Sequence, residues 1–354
     1  MIMELQHLPR DLHAEEKCYD TIRLYSKSFS QIIEFEEREP DQETLVEFME
    51  ILKTFKSRHA DTVGEMALAC MRMKERLEIQ DELQSHVFTS IKTFLDRLYT
   101  SRISIHMITN QHLIVHGYER TSPNQIGIIH PNTCITSILV DAYDDALFCT
   151  ENYYMAAPKI NIKNFNSNHR CEPAKGVLIP SHLYNIFYEV LKNSMRATVE
   201  THWDKKDNLP PIEVIVCQAN DDFTIKISDQ GGGVDRVTVE KMFYYLYSTD
   251  SKNSNSIGYG LPLSRLYARY FQGDLKIAAY EGFGTDVYIY TKALASSAVE
   301  RLPVYNKESV ESWVEEQDHD WTSSIGTDMM QASDKIFMSP EVASADPDIV
   351  QPKE

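Results

Sequence analysis

Residues 223–233, FTIKISDQGGG, place a short run of alternating apolar and polar residues directly before an aspartate and three glycines. Period-two alternation is typical of a strand with one buried face, so residues 223–228 are predicted to form a strand. Three consecutive glycines let the backbone turn sharply and approach a ligand closely, which is more than a simple turn needs. Asp229, at the end of the strand, is therefore a candidate acceptor for a ligand amine.

A helix is predicted on the N-terminal side over residues 181–202, within the stretch 180–202, PSHLYNIFYEVLKNSMRATVETH. Its apolar residues share one face, and Glu189, Asn193 and Arg196 share the opposite face at spacings i, i+4 and i+7. A carboxylate on that face suits a general base, an amide oxygen suits Mg²⁺, and a guanidinium suits phosphate. The solvated face of an ordinary amphipathic helix explains the same three residues.

Two further glycine segments follow along the chain. Residues 258–262, GYGLP, precede a predicted helix, and Pro262 suits its first turn. A glycine loop that leads into a helix N-terminus is a natural phosphate-binding element, because free N–H groups point at the ligand. The polar stretch 248–256 before it is expected to be a mobile lid. In 282–286, GFGTD, a hairpin turn explains the glycines, and a hydroxyl placed near a base explains Thr285.

The order of predicted elements indicates an α+β chain with two domains. A four-helix-type bundle is predicted first, because helical apolar spacing recurs in residues 18–33, 41–55, 63–77, 83–98 and 135–149. An α/β domain with a mixed sheet follows, because strand-like alternation appears in 159–165, 212–216, 223–227, 275–279 and 287–289. The predicted boundaries are 1–157 for the bundle, 158–296 for the α/β domain, and 297–354 for a partly disordered acidic tail.

The composition excludes several classes of protein. Lys and Arg total 35 against 53 Asp and Glu, a net charge of −18, which argues against nucleic acid or an anionic membrane as a partner. No window approaches about 18 consecutive apolar residues, so no membrane-spanning helix is expected. The six cysteines are scattered without a CxxC pair, which argues against a zinc site or a disulfide framework and favours a reducing compartment.

The order of these motifs resembles the ATP-binding GHKL (Bergerat) fold of gyrase, the Hsp90 chaperone, histidine kinases and MutL. Residues 189–196 resemble its N-box, and 229–233 and 258–261 resemble its two glycine boxes. Longer strings resemble the mitochondrial pyruvate dehydrogenase kinases, namely FLDRLYTSRISIHMITNQH, SDQGGGV, GYGLPLSRLYARYFQGDLKI and ERLPVYNK. The related branched-chain ketoacid dehydrogenase kinase shares the boxes, but the last two strings favour the pyruvate branch.

This resemblance implies a serine kinase of the mitochondrial matrix that uses ATP and Mg²⁺. Its substrate would be the alpha subunit of pyruvate dehydrogenase, which phosphorylation switches off. Its partners would be the lipoyl domain of the dihydrolipoyl transacetylase and a second copy of the chain in a homodimer. Asp320-Trp321 resembles the family's tail motif that packs across the dimer, although a plain surface acid also explains Asp320.

The resemblance also assigns residues. Glu189 would be the general base and Asn193 the Mg²⁺ ligand, while Asp229 would bind the adenine amine with Thr285 beside it. The nucleotide site would comprise Glu189, Asn193, Arg196, Asp229, Gly231, Gly233, Ser248, Thr249, Ser256, Ile257, Gly258, Tyr259, Gly260, Leu261 and Thr285. A regulatory pocket for pyruvate-like acids would comprise Tyr25, His59, Asp61 and Arg102.

The chain departs from the family pattern at several of these positions. Asn185 stands where the family often has a histidine that orients the base, and the lid before Gly258 is shorter than usual. Ser256 and Ile257 open the second glycine box in place of glycine and an aromatic residue. His106 stands where the regulatory pocket often has a second arginine. Asn185, Ser256 and the short lid leave open a catalytically weak, nucleotide-binding regulator. A kinase of the branched-chain complex is a separate alternative.

Overall fold

The computed structural model describes residues 1–6, 8–9, 12, 15–77, 86–117, 125–166, 173–220, 222–247, 258–292 and 300. These residues all belong to one compact unit that spans Met1–Val304. Apart from Glu300, the predicted acidic tail lies outside the described residues, and so does Asp320-Trp321.

The first part of the chain is helical. Its helices are α1 (Ile2–Gln6), α2 (Glu16–Ile33), α3 (Gln42–Arg58), α4 (Thr62–Arg76) and α5 (His86–Val115). The side chain of Asp41 caps α3 by accepting a hydrogen bond from the N–H of Thr44 at 2.7 Å. Leu95, Leu98 and Met66 are among the residues that α4 and α5 bury in a shared core. None of the helices in the described ranges is both long and apolar enough to cross a bilayer.

The second part alternates strands and helices around a sheet. Its elements are β1 (His130–Cys134), α6 (Ile135–Tyr154), β2 (Ile160–Asn166), β3 (Lys175–Leu178), α7 (Pro180–Thr201), β4 (Ile212–Gln218), β5 (Asp222–Ser228), α8 (Arg236–Lys241), α9 (Gly260–Tyr270), β6 (Asp274–Tyr280) and β7 (Gly284–Lys292). The main sheet has the order β2-β4-β5-β7-β6, with β2 parallel to β4 and the other neighbours antiparallel. The predicted helical region followed by a mixed-sheet α/β domain is therefore confirmed.

A second hydrophobic core lies between this sheet and its helices. Alternate residues of the sheet are fully buried, among them Val214, Ile225 and Ile289. They pack with the apolar face of α7 and with the buried stripe of α6. Helix α6 thus buries its stripe in the second core, although its spacing alone groups it with the bundle helices.

The two cores meet where the chain enters and leaves residues 248–257. Tyr245, before that segment, and Tyr259, after it, are both buried against Tyr99 of α5, with ring centroids 5.7 and 6.0 Å from it. The Tyr245 hydroxyl also donates to Asp96 at 2.6 Å. The packing of Tyr259 on Tyr99 ties the start of α9 to α5, and it helps to set where the glycine loop lies.

Candidate active site

Glu189 lies on α7 at the point where this helix passes the start of α9. The buried apolar face of α7, which includes Ile186 and Val190, turns Glu189 away from the core. A Cβ atom added to Gly260 would lie 2.1 Å from Oε2 of Glu189, so the absence of a side chain at this position makes room for the carboxylate. The carboxylate therefore sits at the positive end of α9, where a negative charge is stabilised.

A residue that the motif analysis missed pairs with this carboxylate. The Lys192 ammonium lies 2.8 Å from Oε2 and 2.9 Å from Oε1 of Glu189. Its Nζ also lies 5.1 Å from the ring centroid of Tyr188. The spacing of three residues on one helix face is the signal that predicts such a pair.

Asn193 and Arg196 lie one and two turns after Glu189 on the same helix, and both are half-buried. Within the described ranges, no three His, Cys, Asp or Glu side chains are grouped to hold a metal ion. Mg²⁺ is commonly held by one or two protein oxygens together with substrate phosphates, so a single amide oxygen beside a carboxylate fits that ion. Asn185, one turn before Glu189, is exposed.

Asp229 is buried at the end of β5. Its Oδ1 accepts hydrogen bonds from the N–H groups of Gly231 at 2.9 Å and Thr285 at 3.1 Å. Burial raises the pKa of Asp229, while these two backbone bonds and the Ser194 hydroxyl oppose that rise. The two backbone bonds fix the position of this carboxylate, which is a strong acceptor for an amine that enters the site.

The glycines after Asp229 allow close packing. Gly233 has a φ of +65°, and a Cβ there would lie 2.2 Å from the carbonyl oxygen of Tyr280. Gly231 lies against α7, where a Cβ would be 2.5 Å from the Cβ of Ala197. These contacts lock the loop between α7 and the β6–β7 hairpin, which brings Thr285 beside Asp229.

The second glycine box turns into α9 in the same region. Gly258 has a φ of +74° and lies against the backbone of Tyr247, so the two ends of the segment between them are in contact. The side chains of Tyr259 and Leu261 are buried in the two cores. The remaining predicted members of the nucleotide site lie outside the described residues: Ser248, Thr249, Ser256 and Ile257.

The predicted regulatory residues meet where α3 joins α4. The ring of Tyr25 stacks on His59 with centroids 4.0 Å apart, and Nε2 of His59 lies 2.9 Å from the Ser28 hydroxyl. Arg102 on α5 donates to the carbonyl oxygens of His59 at 2.9 Å and Ala60 at 3.3 Å.

Asp61 is exposed at the start of α4, and its side chain does not cap that helix. Among the described residues no carboxylate pairs with Arg102, so an internal ion pair between Arg102 and Asp61 is not seen.

His59, Arg102 and His106 together form what we call the cationic cluster. Burial lowers the pKa of His59 to about 4, with Arg58 and Arg102 contributing. Burial also lowers the pKa of His106 to about 4, and Arg102, His59 and Lys56 contribute. Within the described structure, His59 Nδ1, Arg102 Nε and His106 Nε2 are buried without a hydrogen-bond partner. Because a pKa of about 4 leaves both imidazoles neutral near pH 7, Arg102 carries the charge of this cluster. A guanidinium beside nitrogens that lack hydrogen-bond partners suits a small anion.

Each half of the chain matches a known family model. Residues 1–130 match the family model described as mitochondrial branched-chain alpha-ketoacid dehydrogenase kinase. Residues 179–295 match the model described as histidine kinase-, DNA gyrase B- and HSP90-like ATPase.

Three curated proteins are similar over most of the chain. Mitochondrial pyruvate dehydrogenase (acetyl-transferring) kinase isozyme 3 of Mus musculus is 42% identical over 295 residues, which cover 80% of this chain and 70% of that protein. The corresponding mitochondrial kinase of Drosophila melanogaster is 40% identical over 321 residues, covering 87% and 77%. That of Ascaris suum is 43% identical over 296 residues, covering 80% and 72%.

Proposed function

The chain belongs to the mitochondrial pyruvate dehydrogenase kinase family, and we propose that it phosphorylates a serine of the pyruvate dehydrogenase alpha subunit and thereby inactivates the complex. Membership makes it a mitochondrial, ATP-binding kinase with the GHKL fold. The observation that carries the finer proposal is the Glu189 carboxylate, which lies against Gly260 at the start of α9.

Glu189 acts as the general base in this proposal. Its carboxylate accepts the proton of the substrate serine as the serine oxygen bonds to the γ-phosphorus and the bond to the ADP oxygen breaks. Phosphoryl transfer depends mainly on positioning and charge neutralisation, and a carboxylate confined by α7 and α9 is suited to the first of these. Mg²⁺, which we assign to Asn193, would neutralise phosphate charge when bound.

The nucleotide lies between the two glycine boxes in the same proposal. Asp229 accepts the adenine amine, and Thr285, Gly231 and Gly233 shape the pocket around it. The phosphates lie at the start of α9, where backbone N–H groups and the helix dipole favour anions. The residues assigned to the phosphates are Arg196, Ser248, Thr249, Ser256, Ile257, Gly258, Tyr259, Gly260 and Leu261.

The cationic cluster supports a regulatory role for the helical region. We assign to it a small carboxylic acid of the pyruvate type, because its carboxylate would give Arg102 a counter-charge and give the buried nitrogens hydrogen-bond partners. On the basis of family membership, we also propose that the chain binds the lipoyl domain of the transacetylase, forms a homodimer and lies in the mitochondrial matrix.

The test is incubation of the chain with ATP, Mg²⁺ and purified pyruvate dehydrogenase, measuring serine phosphate and lost dehydrogenase activity together. In single-turnover transfer at saturating ATP, Glu189→Gln should be slower by about 10²–10⁴-fold, as expected when a general base is removed. Glu200→Gln is the matched control, because Glu200 is an exposed residue of the same helix. If Glu189→Gln transferred phosphate as fast as the wild type, the assignment of Glu189 as the general base would be wrong.

A second candidate substrate is the branched-chain ketoacid dehydrogenase, since residues 1–130 match the model that carries its kinase's name. Phosphorylating the two dehydrogenases side by side decides between them. Asn185, which replaces the histidine that the family often has there, keeps open the hypothesis of a weak regulator, and the same experiment tests it. Tight ATP binding with no transfer to either dehydrogenase would favour that regulator.

A further inference from the structure

Lys192 covers the carboxylate that the proposed reaction needs. Its ammonium lies 2.8 and 2.9 Å from the two oxygens of Glu189, so both oxygens face one cation. A general base must present a lone pair to the proton that it abstracts, and a cation held on both oxygens competes with that proton. Transfer is therefore favoured once Lys192 leaves the carboxylate.

The lysine is the partner that is free to move. Glu189 is confined by the start of α9, where Gly260 leaves just enough room for its carboxylate. The side chain of Lys192 is 39% exposed and has Tyr188 as its other neighbour. An ion pair this exposed is weak, so an anion of higher charge displaces the carboxylate from the ammonium readily.

The chemistry of the transfer locates such an anion. The serine oxygen must reach both the Glu189 carboxylate, which takes its proton, and the γ-phosphorus, to which it bonds. The γ-phosphate is therefore separated from the carboxylate by a single oxygen atom. The Lys192 ammonium contacts that carboxylate, so its four-carbon stem lets it reach the γ-phosphate as well. The terminal phosphate of ADP lies one phosphate further from the ammonium.

We propose that Lys192 binds the γ-phosphate of ATP, and that it rests on Glu189 while the site is empty. ATP binding then moves the ammonium from the carboxylate to the phosphate, which uncovers the base at the moment when the reacting group arrives. This inference rests on the proposed function, because it takes Glu189 to be the base of a kinase.

The test compares nucleotides with and without the γ-phosphate. Calorimetry with Mg²⁺ measures the affinity of the wild type, Lys192→Met and Lys192→Arg for ADP and for the non-hydrolysable ATP analogue AMP-PNP. Lys192→Met should weaken AMP-PNP by about tenfold or more, the loss typical of a hydrogen bond to a charged group, and leave ADP unchanged. Lys192→Arg should recover most of the AMP-PNP affinity, because a cation is kept.

Lys163→Met is the matched control. Lys163 forms an exposed pair with Glu213 at 3.3 Å on the edge of the sheet, so its loss should change neither affinity. Wild-type AMP-PNP affinity in Lys192→Met would overturn the proposal, and so would an equal loss for both nucleotides. The outcome is separable from the base assignment, since the affinity difference between the nucleotides does not depend on Glu189 accepting a proton.

Discussion

The candidate nucleotide site and the cationic cluster are built in opposite ways. The nucleotide site presents acidic oxygens, from Glu189 and Asp229, beside glycine-rich turns in which the backbone makes the close contacts. The cationic cluster presents nitrogen donors from helices that are distant in sequence, as in the contact from Arg102 to the His59 carbonyl. The first suits a ligand that brings an amine and a metal-bound phosphate chain, and the second suits a small anion.

This difference predicts how a substitution would impair each site. In the nucleotide site, close approach of backbone and carboxylate leaves no room, so one added methyl group displaces a reacting group. In the cationic cluster, Arg102 is bound to the carbonyl end of α3, so losing its side chain removes a charge but leaves the packing of the helices largely in place. The predictions below test this contrast.

Gly260→Ala should produce the largest effect. The new Cβ would lie 2.1 Å from Oε2 of Glu189, so the carboxylate must shift by more than 1 Å. A displacement of that size in a reacting group costs about 10²-fold in rate. Single-turnover phosphate transfer at saturating ATP measures it, with a thermal melt to confirm folding.

Gly64→Ala is the matched control for that substitution. Gly64 lies in α4, and an added Cβ meets nothing within 4 Å. We expect it to raise stability by about 0.5 kcal/mol and leave transfer unchanged, because alanine favours a helix over glycine. If the two alanine variants transferred phosphate equally well, Gly260 would not be part of the reacting site.

Asp229→Asn should weaken ATP binding by about 10–100-fold. The isosteric amide oxygen still accepts the Gly231 and Thr285 N–H groups, so the turn is kept. The amide N–H group, however, would face the adenine amine donor to donor. Calorimetry with ATP measures the loss, and Asp41→Ala, which removes the cap of α3, should lower the melting temperature without changing the affinity. An unchanged affinity in folded Asp229→Asn would contradict the adenine assignment.

Arg102→Met should produce the smallest of the three effects, a reduced response to small carboxylic acids. The change removes a buried cation but keeps an apolar stem of similar length, and the half-inhibitory concentration of dichloroacetate should rise about tenfold. Arg38→Met, which breaks the exposed pair with Glu47, is the control. Equal inhibition of Arg102→Met and the wild type by dichloroacetate would show that the cationic cluster is not the effector site.

Much of the fold follows from local patterns. Helical periodicity predicts α2, α3, α4 and α6 to within a few residues of where they lie, whereas α5 runs to Val115, well past the predicted end at residue 98. The two-stranded sheet of β1 and β3 was not predicted, because these strands have five and four residues and pair across 41 residues of chain from Cys134 to Lys175. Such a pairing has no local signal.

The candidate site likewise combines features that have a local sequence signal with contacts that have none. Helix spacing alone puts Glu189 and Asn193 on one face, and a glycine run after a strand marks Asp229. The contact of Glu189 with Gly260 joins positions 71 residues apart, and no motif specifies it. The roles assigned to these residues stay predictions until the variants above are measured.

The sequence by itself determined the helix faces, the strand with its terminal acid and the glycines that permit close approach, because each depends on neighbours within one or two turns of chain. Only the tertiary structure decided that the Glu189 carboxylate is pressed against the start of α9. It also decided that Tyr245 and Tyr259 dock on α5. It brought His59, Arg102 and His106 together with buried nitrogens that have no hydrogen-bond partner in the described part of the chain. These arrangements depend on how separate helices pack, and packing is set by the shapes and volumes of whole faces rather than by any one segment.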